Sequence, residues 1–299
     1  MTLWVDTDFG FDDLWALLLL RAHNVTIAGV SLVAGNAVLG QVQANAAAAV
    51  AHFGFDLRVS LGADRPLARG LETATRILGP NGMQSVGRYL PPAPLGDMSD
   101  AQDALFAWLD GQGPHEMLAL GPLTNIAMLY ADHPEKAARI SRITWMGGAR
   151  GRGNHTPHAE FNALVDPEAL AQLLDTRAPL RVVDLDACRR VFFGPDELPT
   201  LADPVLTDLL HGYLEIGLSR GRASMAIYDP LAALALVAPD VLGFEACFMQ
   251  VELSEGETLG QTTLAFTKEP NIEIAKVLDA GRAVRLCMAA LEGKNDGTT

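Results

Sequence analysis

The sequence predicts an α/β fold, a single domain with an open, mainly parallel sheet flanked by helices. Short apolar runs rich in β-branched residues alternate with Ala- and Leu-rich stretches along most of the chain. The 299 residues are 49% hydrophobic and 19% charged, which is the composition of a globular protein with a large core. Neither a repeat nor an interior linker divides the chain. We therefore expect one domain over residues 1–292 and a flexible tail over residues 293–299.

The individual elements follow from the same alternation. Strands are expected where β-branched residues cluster, and helices where apolar residues recur at helical spacing after Asp, Asn, Thr or Pro. The predicted strands cover residues 3–7, 26–33, 58–61, 117–120, 142–146 and 180–185, with later strands inside 248–277. The predicted helices cover residues 12–21, 41–52, 100–110, 123–131 and 167–174. Residues 63–94 and 147–156 are expected to be loops, the first of them long enough to form a lid.

Charge and cysteine content argue against several classes of protein. A formal net charge of −14 repels phosphate backbones and anionic lipids, so we expect neither nucleic acid nor a membrane surface as a partner. The longest apolar run, residues 14–20, is too short to span a bilayer, and the N-terminal residues lack the pattern of a signal peptide. Cys188, Cys247 and Cys287 form no CxxC pair, which predicts reduced thiols and a cytoplasmic location.

The N-terminal segment carries the most informative chemistry. Four aspartates lie within eight positions, with no basic residue among them: Asp6, Asp8, Asp12 and Asp13. Two carboxylates about 4 Å apart repel each other by roughly 4 kcal/mol at an effective dielectric constant near 20. A divalent cation relieves that repulsion, and oxygen ligands without cysteine or histidine favour Ca²⁺ or Mg²⁺ over zinc. The end of the first predicted strand is also where α/β sheets bind ligands.

Helix capping is the competing interpretation of this segment. Asp12 and Asp13 would then favour the N-terminus of the following helix, and the two earlier carboxylates would be solvated in a loop. Capping explains one or two of these residues and leaves the others without a role. Gly10 permits a turn that brings both pairs together, so we favour a metal site.

This segment resembles the aspartate-rich N-terminal signature of the inosine-uridine-preferring nucleoside hydrolases. Further blocks similar to that family follow in the same order, up to about residue 235. They are Val33-Ala34-Gly35-Asn36, Leu120-Gly121-Pro122-Leu123-Thr124-Asn125-Ile126-Ala127, Met146-Gly147-Gly148, Ala159-Glu160-Phe161-Asn162, Asp166-Pro167-Glu168-Ala169 and Asp229-Pro230. The resemblance implies an enzyme that hydrolyses the N-glycosidic bond of ribonucleosides and holds one Ca²⁺ in an open α/β fold.

The resemblance also implies a role for individual residues. It implies that calcium is held by Asp8, Asp13, the main-chain oxygen of Thr124 and Asp229, with Asp6 just behind them. Asp8 would also be the general base for the calcium-bound water, and it forms the implied catalytic group with Asp12 and Asn36. The ribose hydroxyls would be held by Asp12, Asn36, Asn154, Glu160 and Asn162, with Met146 packed near the sugar. The amides among them suit hydroxyl groups because each can donate and accept without adding charge.

The base side of the implied site departs from the family pattern. Tyr228 directly precedes Asp229, where family members commonly have the histidine that protonates the leaving base. Leu78 stands where a histidine often precedes glycine, and Phe9 replaces a frequent proline. Because the ordinary pKa of tyrosine is near 10, we predict that Tyr228 stacks on or steers the base and is not its principal acid.

Other residues on this side stay as candidates. Phe161 joins Tyr228 and Leu78 as a base-side candidate, and Trp15 and Trp145 are expected in the core. Arg222, His155 and His158 are alternative proton donors.

Two other functions stay open at this point. Asp6-Thr7-Asp8 also resembles the nucleophile motif of haloacid-dehalogenase-like phosphatases, but Phe9-Gly10 follows and no lysine occurs before Lys136. A non-catalytic protein that binds a ribose-containing ligand is suggested by Tyr228 and Leu78. The family resemblance itself implies a nucleoside substrate, a role in nucleoside catabolism and purine or pyrimidine salvage, and a homodimer or homotetramer.

Overall fold

A computed structural model describes residues 2–295, and within them a ten-stranded sheet runs through the molecule. The strands, including a separate pair formed by β8 and β9, are β1 (Thr2–Thr7), β2 (Ile27–Leu32), β3 (Val59–Leu61), β4 (Ser99–Asp100), β5 (His115–Ala119), β6 (Ile140–Met146), β7 (Leu180–Val183), β8 (Phe192–Phe193), β9 (Met225–Ala226), β10 (Leu242–Val251), β11 (Thr262–Ala265) and β12 (Ile272–Val277). Their order in the large sheet is β11-β10-β12-β7-β6-β5-β1-β2-β3-β4. From β7 to β4 all neighbours are parallel, and β10 runs antiparallel to β11 and β12.

Helices connect and cover the strands. They are α1 (Phe11–Ala22), α2 (Leu39–Phe53), α3 (Thr75–Leu78), α4 (Ala101–Asp110), α5 (Thr124–Asp132), α6 (Pro134–Ala137), α7 (Phe161–Val165), α8 (Pro167–Asp175), α9 (Leu185–Cys188), α10 (Pro204–Leu218), α11 (Asp229–Val237) and α12 (Ala280–Leu291), with one 3₁₀ turn at Pro195–Glu197. One apolar layer packs α1, α10, α11 and α12 against the sheet, and a second packs α4, α5 and α8 against its other face. Helices on both faces of a parallel sheet make this the predicted α/β fold.

Strand β1 lies at the centre of this arrangement. It pairs with β2 on one side and β5 on the other, so that Val5 faces Val30 and Leu118. Successive side chains of a strand point to opposite faces, and both faces of β1 are buried, with Leu3 in one apolar layer and Trp4 in the other. The carboxyl end of β1 is therefore held from all sides, which gives the residues after it a rigid base.

Most predicted elements are confirmed within a few residues. The predicted strand 180–185 ends earlier, at Val183, because the Asp184 side chain accepts a hydrogen bond from the main-chain N–H of Ala187 (2.9 Å) and caps α9. Helices α10, α11 and α12 were not among the predicted helices. Trp15 and Trp145 are fully buried, as expected.

The predicted loops and tail have mixed outcomes. Residues 63–94 contain one short helix, α3, and otherwise no regular element. The predicted tail begins just after α12, and its residues 296–299 lie outside the described residues. Cys188, Cys247 and Cys287 are buried and unbridged. Among residues 2–295, no helix combines the length and apolarity needed to cross a membrane.

Candidate active site

The acidic segment forms a tight turn between β1 and α1. β1 ends at Thr7 and α1 begins at Phe11, so the turn is only three residues long. Phe9 has a φ of +42°, in the left-handed region that bulky residues rarely adopt, at a cost on the order of 1–3 kcal/mol. Its main-chain oxygen accepts a hydrogen bond from Asn45 (3.1 Å), which holds the turn from α2.

The backbone conformation does not require glycine at position 10, because a φ of −85° is open to any residue. Glycine is needed here because neighbouring side chains lie close to the main chain. A Cβ at this position would lie 2.8 Å from Asn36 Nδ2 and 3.2 Å from carboxylate oxygens of Asp12 and Asp13. The glycine thus lets two carboxylates and an amide pack around the main chain, as the sequence interpretation of the turn required.

Asn36 holds both carboxylate oxygens of Asp8. The main-chain N–H of Asn36 donates to Asp8 Oδ2 (2.7 Å), and its side-chain amide donates to Asp8 Oδ1 (3.0 Å). The same amide lies 3.5 Å from Asp13 Oδ2. Asn36 follows β2, the parallel neighbour of β1, so the carboxyl ends of two adjacent strands place these groups together.

Asp13 connects the turn to a distant part of the chain. Its side chain accepts hydrogen bonds from the Thr7 hydroxyl and from the main-chain N–H of Gly10 (2.7 Å). Carboxylate oxygens of Asp12, Asp13 and Asp229 lie within 4.8 Å of one another, in an arrangement that can hold a metal ion. Asp229 is the first residue of α11, which packs closely on α1.

Burial and mutual repulsion dominate the electrostatics of this cluster. Burial raises the pKa of Asp8 well above its usual range, and the charge of Asp13 raises it further. The pKa of Asp12 rises to about 7 for the same two reasons. Burial, with the charges of Asp12, Asp13 and Asp8, also holds the pKa of Asp229 well above normal. The site thus favours either protons or a cation, since deprotonated carboxylates in contact destabilise one another.

Asp6 lies behind the cluster and does not line the cavity. Asp6 Oδ1 accepts hydrogen bonds from the Ser31 hydroxyl and from Asn125 Nδ2 (2.8 Å). Its Oδ2 is buried and has no hydrogen-bond partner among the described residues. Burial raises the pKa of Asp6 to about 6, against the lowering effect of Asn125. Asn125 Nδ2 also donates to the main-chain oxygen of Leu32 (3.1 Å), and its Oδ1 accepts from the main-chain N–H of Ala63 (2.8 Å).

A cavity opens above the cluster, and it brings together most of the residues that the sequence indicated. Those that line it are Asp8, Asp12, Asn36, Leu78, Met146, Asn154, Glu160, Phe161, Asn162, Tyr228 and Asp229. Asn162 Nδ2 donates to the main-chain oxygens of Leu120 (2.9 Å) and Met146 (3.0 Å), which ties it to the ends of β5 and β6.

Glu160 and Asn154 shape the wall next to Asn162. The Glu160 carboxylate accepts hydrogen bonds from the main-chain N–H groups of Asn162 and Gly148, both at 2.9 Å. Burial raises the pKa of Glu160 to about 7, and these N–H groups oppose the rise. Asn154 Oδ1 accepts from the main-chain N–H of Phe161 (2.9 Å).

Helix α10 supplies lining residues that the sequence interpretation missed. Tyr213 and Ile216 line the cavity from this helix, and the Tyr213 hydroxyl donates to Asp12 Oδ2 at 3.3 Å. The ring of Tyr213 meets that of Tyr228 edge to face at 6.4 Å between centroids. Asp203-Pro204 at the start of α10 is a helix-start signal that would have revealed it, since Asp203 caps the helix.

The three alternative proton donors have different positions. Arg222 and His155 line the cavity, and His158 is not among the lining residues. His155 Nε2 lies 3.1 Å from Glu72, and its Nδ1 is buried without a partner among the described residues. Because both ring nitrogens are occupied or shielded, His155 does not present a free donor to the cavity. Burial, with Cys188, raises the pKa of Tyr228 to about 12.

Two implied metal ligands, Asp13 and Thr124, are not among the residues that line the cavity, and of these only Asp13 belongs to the carboxylate cluster beneath it. The Thr124 hydroxyl donates to Asp166 Oδ2 (2.7 Å), and because Thr124 is the first residue of α5 its main-chain oxygen points along the helix into the hydrogen-bonded turn. Leu120, at the end of β5, lines the cavity instead. The adjacent Gly121 lies so close to Asp8 that a Cβ would be 3.1 Å from the carboxyl carbon.

The donor set of the cluster fits a hard divalent cation. It offers carboxylate oxygens and no thiol or imidazole, and hard cations such as Ca²⁺ prefer oxygen ligands. Among residues 2–295, none of the ion pairs involves Asp8, Asp12, Asp13 or Asp229. The repulsion within the cluster is therefore not balanced by a basic side chain.

An acidic, metal-competent cavity at the carboxyl edge of a parallel sheet places the protein among α/β enzymes that act on polar small molecules. The family described as inosine-uridine preferring nucleoside hydrolase matches residues 3–285. The chain belongs to this family, whose members are N-glycosyl hydrolases. This assignment confirms the family resemblance and sets aside the phosphatase interpretation.

Individual relatives agree in sequence and in structure. The chain is 32% identical over 288 residues to a non-specific ribonucleoside hydrolase, RihC, of Salmonella paratyphi B, covering 92% of each protein. It is similar to the structure of a purine-preferring ribonucleoside hydrolase from Gardnerella vaginalis, with a TM-score of 0.88, 26% identity and 98% of each chain covered. A plant nucleoside hydrolase, PpNRh1, shares the fold with a TM-score of 0.88 at 24% identity, over 97% of this chain and 98% of that one.

Proposed function

We propose that the protein hydrolyses the N-glycosidic bond of ribonucleosides to ribose and a free base, with Asp8 as the general base for the attacking water. The observation that carries this proposal is a cluster of four carboxylates without a basic partner, those of Asp8, Asp12, Asp13 and Asp229, beneath a cavity lined by three asparagines. Glycosidic cleavage develops positive charge on the sugar, and nearby carboxylates stabilise it electrostatically.

We propose Ca²⁺ as the resident cation, held by Asp8, Asp13 and Asp229, with Asp6 behind them. The main-chain oxygen of Leu120 is a better fourth protein ligand than that of Thr124, because Leu120 lines the cavity and the Thr124 oxygen is committed to α5. A bound divalent cation neutralises the carboxylates and lowers the pKa of a water in its shell.

Asp8 is suited to accept the proton of the attacking water. Asn36 donates to both of its oxygens, which fixes the carboxylate plane while leaving further lone pairs open toward the cavity. Asp12 lies next to it and is steadied by the Tyr213 hydroxyl, so Asp12 is placed to accept from a ribose hydroxyl. Positioning of this kind removes the entropic cost of bringing water and sugar together.

The amide and carboxylate walls are suited to the other ribose hydroxyls. Asn162 spends both amide hydrogens on main-chain oxygens, so its own oxygen is left to accept from the sugar. We propose that Asn36, Asn154 and Glu160 act with it, and that Met146 packs beside the sugar ring.

Tyr228 is proposed to stack on or steer the base, with Leu78 and Phe161 beside it. A phenol whose pKa has risen to about 12 holds its proton too tightly to be the principal acid. The base then departs with the electron pair of the N-glycosidic bond and takes its proton from water.

A panel of purine and pyrimidine ribonucleosides tests the proposal through release of ribose, measured with and without a chelator. Metal-dependent release from at least one nucleoside is expected. Tight binding of ribosides without release of ribose would favour the non-catalytic alternative.

We further propose that the protein is a cytoplasmic homodimer or homotetramer that serves nucleoside salvage. Light scattering measures its oligomeric state.

A further inference from the structure

A second chamber, which we call the arginine vestibule, opens outside the active-site cavity. Its cationic residues are Arg152, Arg189, Arg220 and Arg222. Arg189 is half-buried, and the other three are exposed. Because the chain carries a formal net charge of −14, four guanidinium groups around one opening reverse the sign of the local field.

These arginines are not balanced by carboxylates. None of the four takes part in an ion pair within residues 2–295. The arginine closest in sequence to Arg152 behaves differently, since Arg150 binds the Asp184 carboxylate at 2.6 Å. Glu72 does not line the vestibule, and it is already paired with His155 (3.1 Å) and Arg76 (3.5 Å).

One of the four arginines also shapes the chamber. Arg189 donates to the main-chain oxygens of Arg152 and Gly153, the latter at 2.9 Å. This contact ties the loop that carries Arg152 to the region after α9. Hydrogen bonds therefore hold the wall of the vestibule in place, and the guanidinium N–H groups of Arg152, Arg220 and Arg222 are left to bind a ligand.

The vestibule is continuous with the active-site cavity. Ile77, Asn154, His155, Arg220 and Arg222 line both. The charges of Arg222 and Arg189 also act on the Tyr228 phenol, where they oppose the rise of its pKa caused by burial. A group attached to a substrate held between Asn154 and Tyr228 thus reaches the guanidinium groups.

We propose that the arginine vestibule binds an anionic group carried by the ribonucleoside substrate, so that the preferred substrates are anionic ribonucleoside derivatives. This inference rests on the proposed hydrolase function. Guanidinium binds phosphate and carboxylate through paired, charge-assisted hydrogen bonds. A phosphate on the ribose 5′ oxygen and a carboxylate on the base are the two sources of such a group.

Three compounds with the same ribosyl pyrimidine core separate these sources: uridine, uridine 5′-monophosphate and orotidine, which is uridine with a ring carboxylate. For each, kcat/KM is measured with the wild type and with the double variant Arg220→Gln/Arg222→Gln. The matched control is Arg58→Gln/Arg285→Gln, which removes the same charge from exposed positions outside both chambers.

The wild type is expected to prefer at least one charged compound over uridine. The double variant should lower that charged-to-neutral ratio about tenfold or more, because each hydrogen bond to a charged group is worth roughly that factor. The control should change the ratio less than about twofold, and added salt should lower it mainly in the wild type. The compound that is preferred identifies the source of the anion.

The inference is overturned if uridine is preferred to both charged compounds, or if the preference survives in the double variant. Absence of hydrolysis of all three compounds and of every nucleoside in the panel above would instead count against the proposed function. In that case, calorimetric titration with the same three compounds tests the vestibule. The quantity compared is the ratio of the affinities for the charged and neutral compounds, in the wild type and in the double variant.

Discussion

The sugar half and the base half of the cavity are built in different ways. In the proposed sugar half, Asp8 and Asn36 follow the ends of β1 and β2, and Asn162 lies in α7 and donates to the main-chain oxygens of Leu120 and Met146. In the base half, Leu78 and Tyr228 come from a short helix and from the residue before α11, and neither side chain forms a side-chain hydrogen bond to the described residues. In the proposed mechanism, the groups shared by all ribonucleosides therefore meet a rigid wall, and the base meets an adaptable one.

Replacing Asp8 should give the largest effect, because it removes the proposed base and a proposed metal ligand together. We expect Asp8→Ala to lower kcat/KM by about a thousandfold or more for every nucleoside that the wild type cleaves. Ribose release measures this loss. Asp56→Ala removes an exposed carboxylate far from the cavity and should keep wild-type rates. An active Asp8→Ala enzyme would end the proposed mechanism.

Removal of the cation should have the next largest effect on turnover. Chelation is expected to abolish turnover and to lower the melting temperature, because a ligand at 100 times its Kd stabilises the folded state by about 2.7 kcal/mol. Ca²⁺ should restore both properties in the wild type and not in Asp229→Asn. Equal melting temperatures with and without Ca²⁺ would show that the carboxylates hold no such ion.

Asn162→Ala should weaken ribose recognition without unfolding the protein. We expect KM to rise about tenfold, and loss of the contacts to Leu120 and Met146 to cost about 1–3 kcal/mol of stability. Asn271→Ala is a matched control, since Asn271 also bonds a main-chain N–H (2.7 Å) and oxygen (3.0 Å), both of Met249. If both variants have comparable melting curves and only Asn162→Ala changes KM, the role of Asn162 lies in substrate binding.

Tyr228 should give the smallest effect, and one that depends on the base. Tyr228→Phe keeps the ring and should retain most activity, whereas Tyr228→Ala should raise KM several-fold through loss of stacking, worth about 0.5–1.5 kcal/mol. Kinetics on one purine and one pyrimidine nucleoside measure the difference. A large loss in Tyr228→Phe would assign the proton transfer to the hydroxyl.

The sequence indicated candidates for both halves of the cavity and missed those that α10 supplies, and the reason is physical. A strand end is marked by an apolar run followed by polar residues, so the local pattern indicated Asp8, whereas Asn36 was indicated by the family resemblance. Tyr213 and Arg220 come from α10 and the residues just after it, which are remote in sequence from the motifs and reach the cavity because α10 packs against β9 and α1.

The proposed exchange of Leu120 for Thr124 as a metal ligand illustrates how geometry bears on a role carried over by motif. The block that contains both residues was recognised, but Leu120 and Thr124 are four residues apart and only the geometry of β5 and α5 separates their main-chain oxygens. The burial that raises the pKa values of Asp8 and Asp229 was likewise not predictable from residue spacing.

The central claim is that the sugar half of the cavity performs the chemistry, whereas the base half only selects and positions the substrate. The direct measurement compares p-nitrophenyl riboside, whose leaving group needs no protonation, with a natural nucleoside for Asp8→Ala and Tyr228→Ala. We predict that Asp8→Ala is inactive on both substrates, while Tyr228→Ala raises KM for the nucleoside several-fold and leaves kcat close to the wild-type value on both substrates. Activity of Asp8→Ala on the riboside would contradict this division, and so would a large loss of kcat in Tyr228→Ala on the nucleoside that is absent on the riboside.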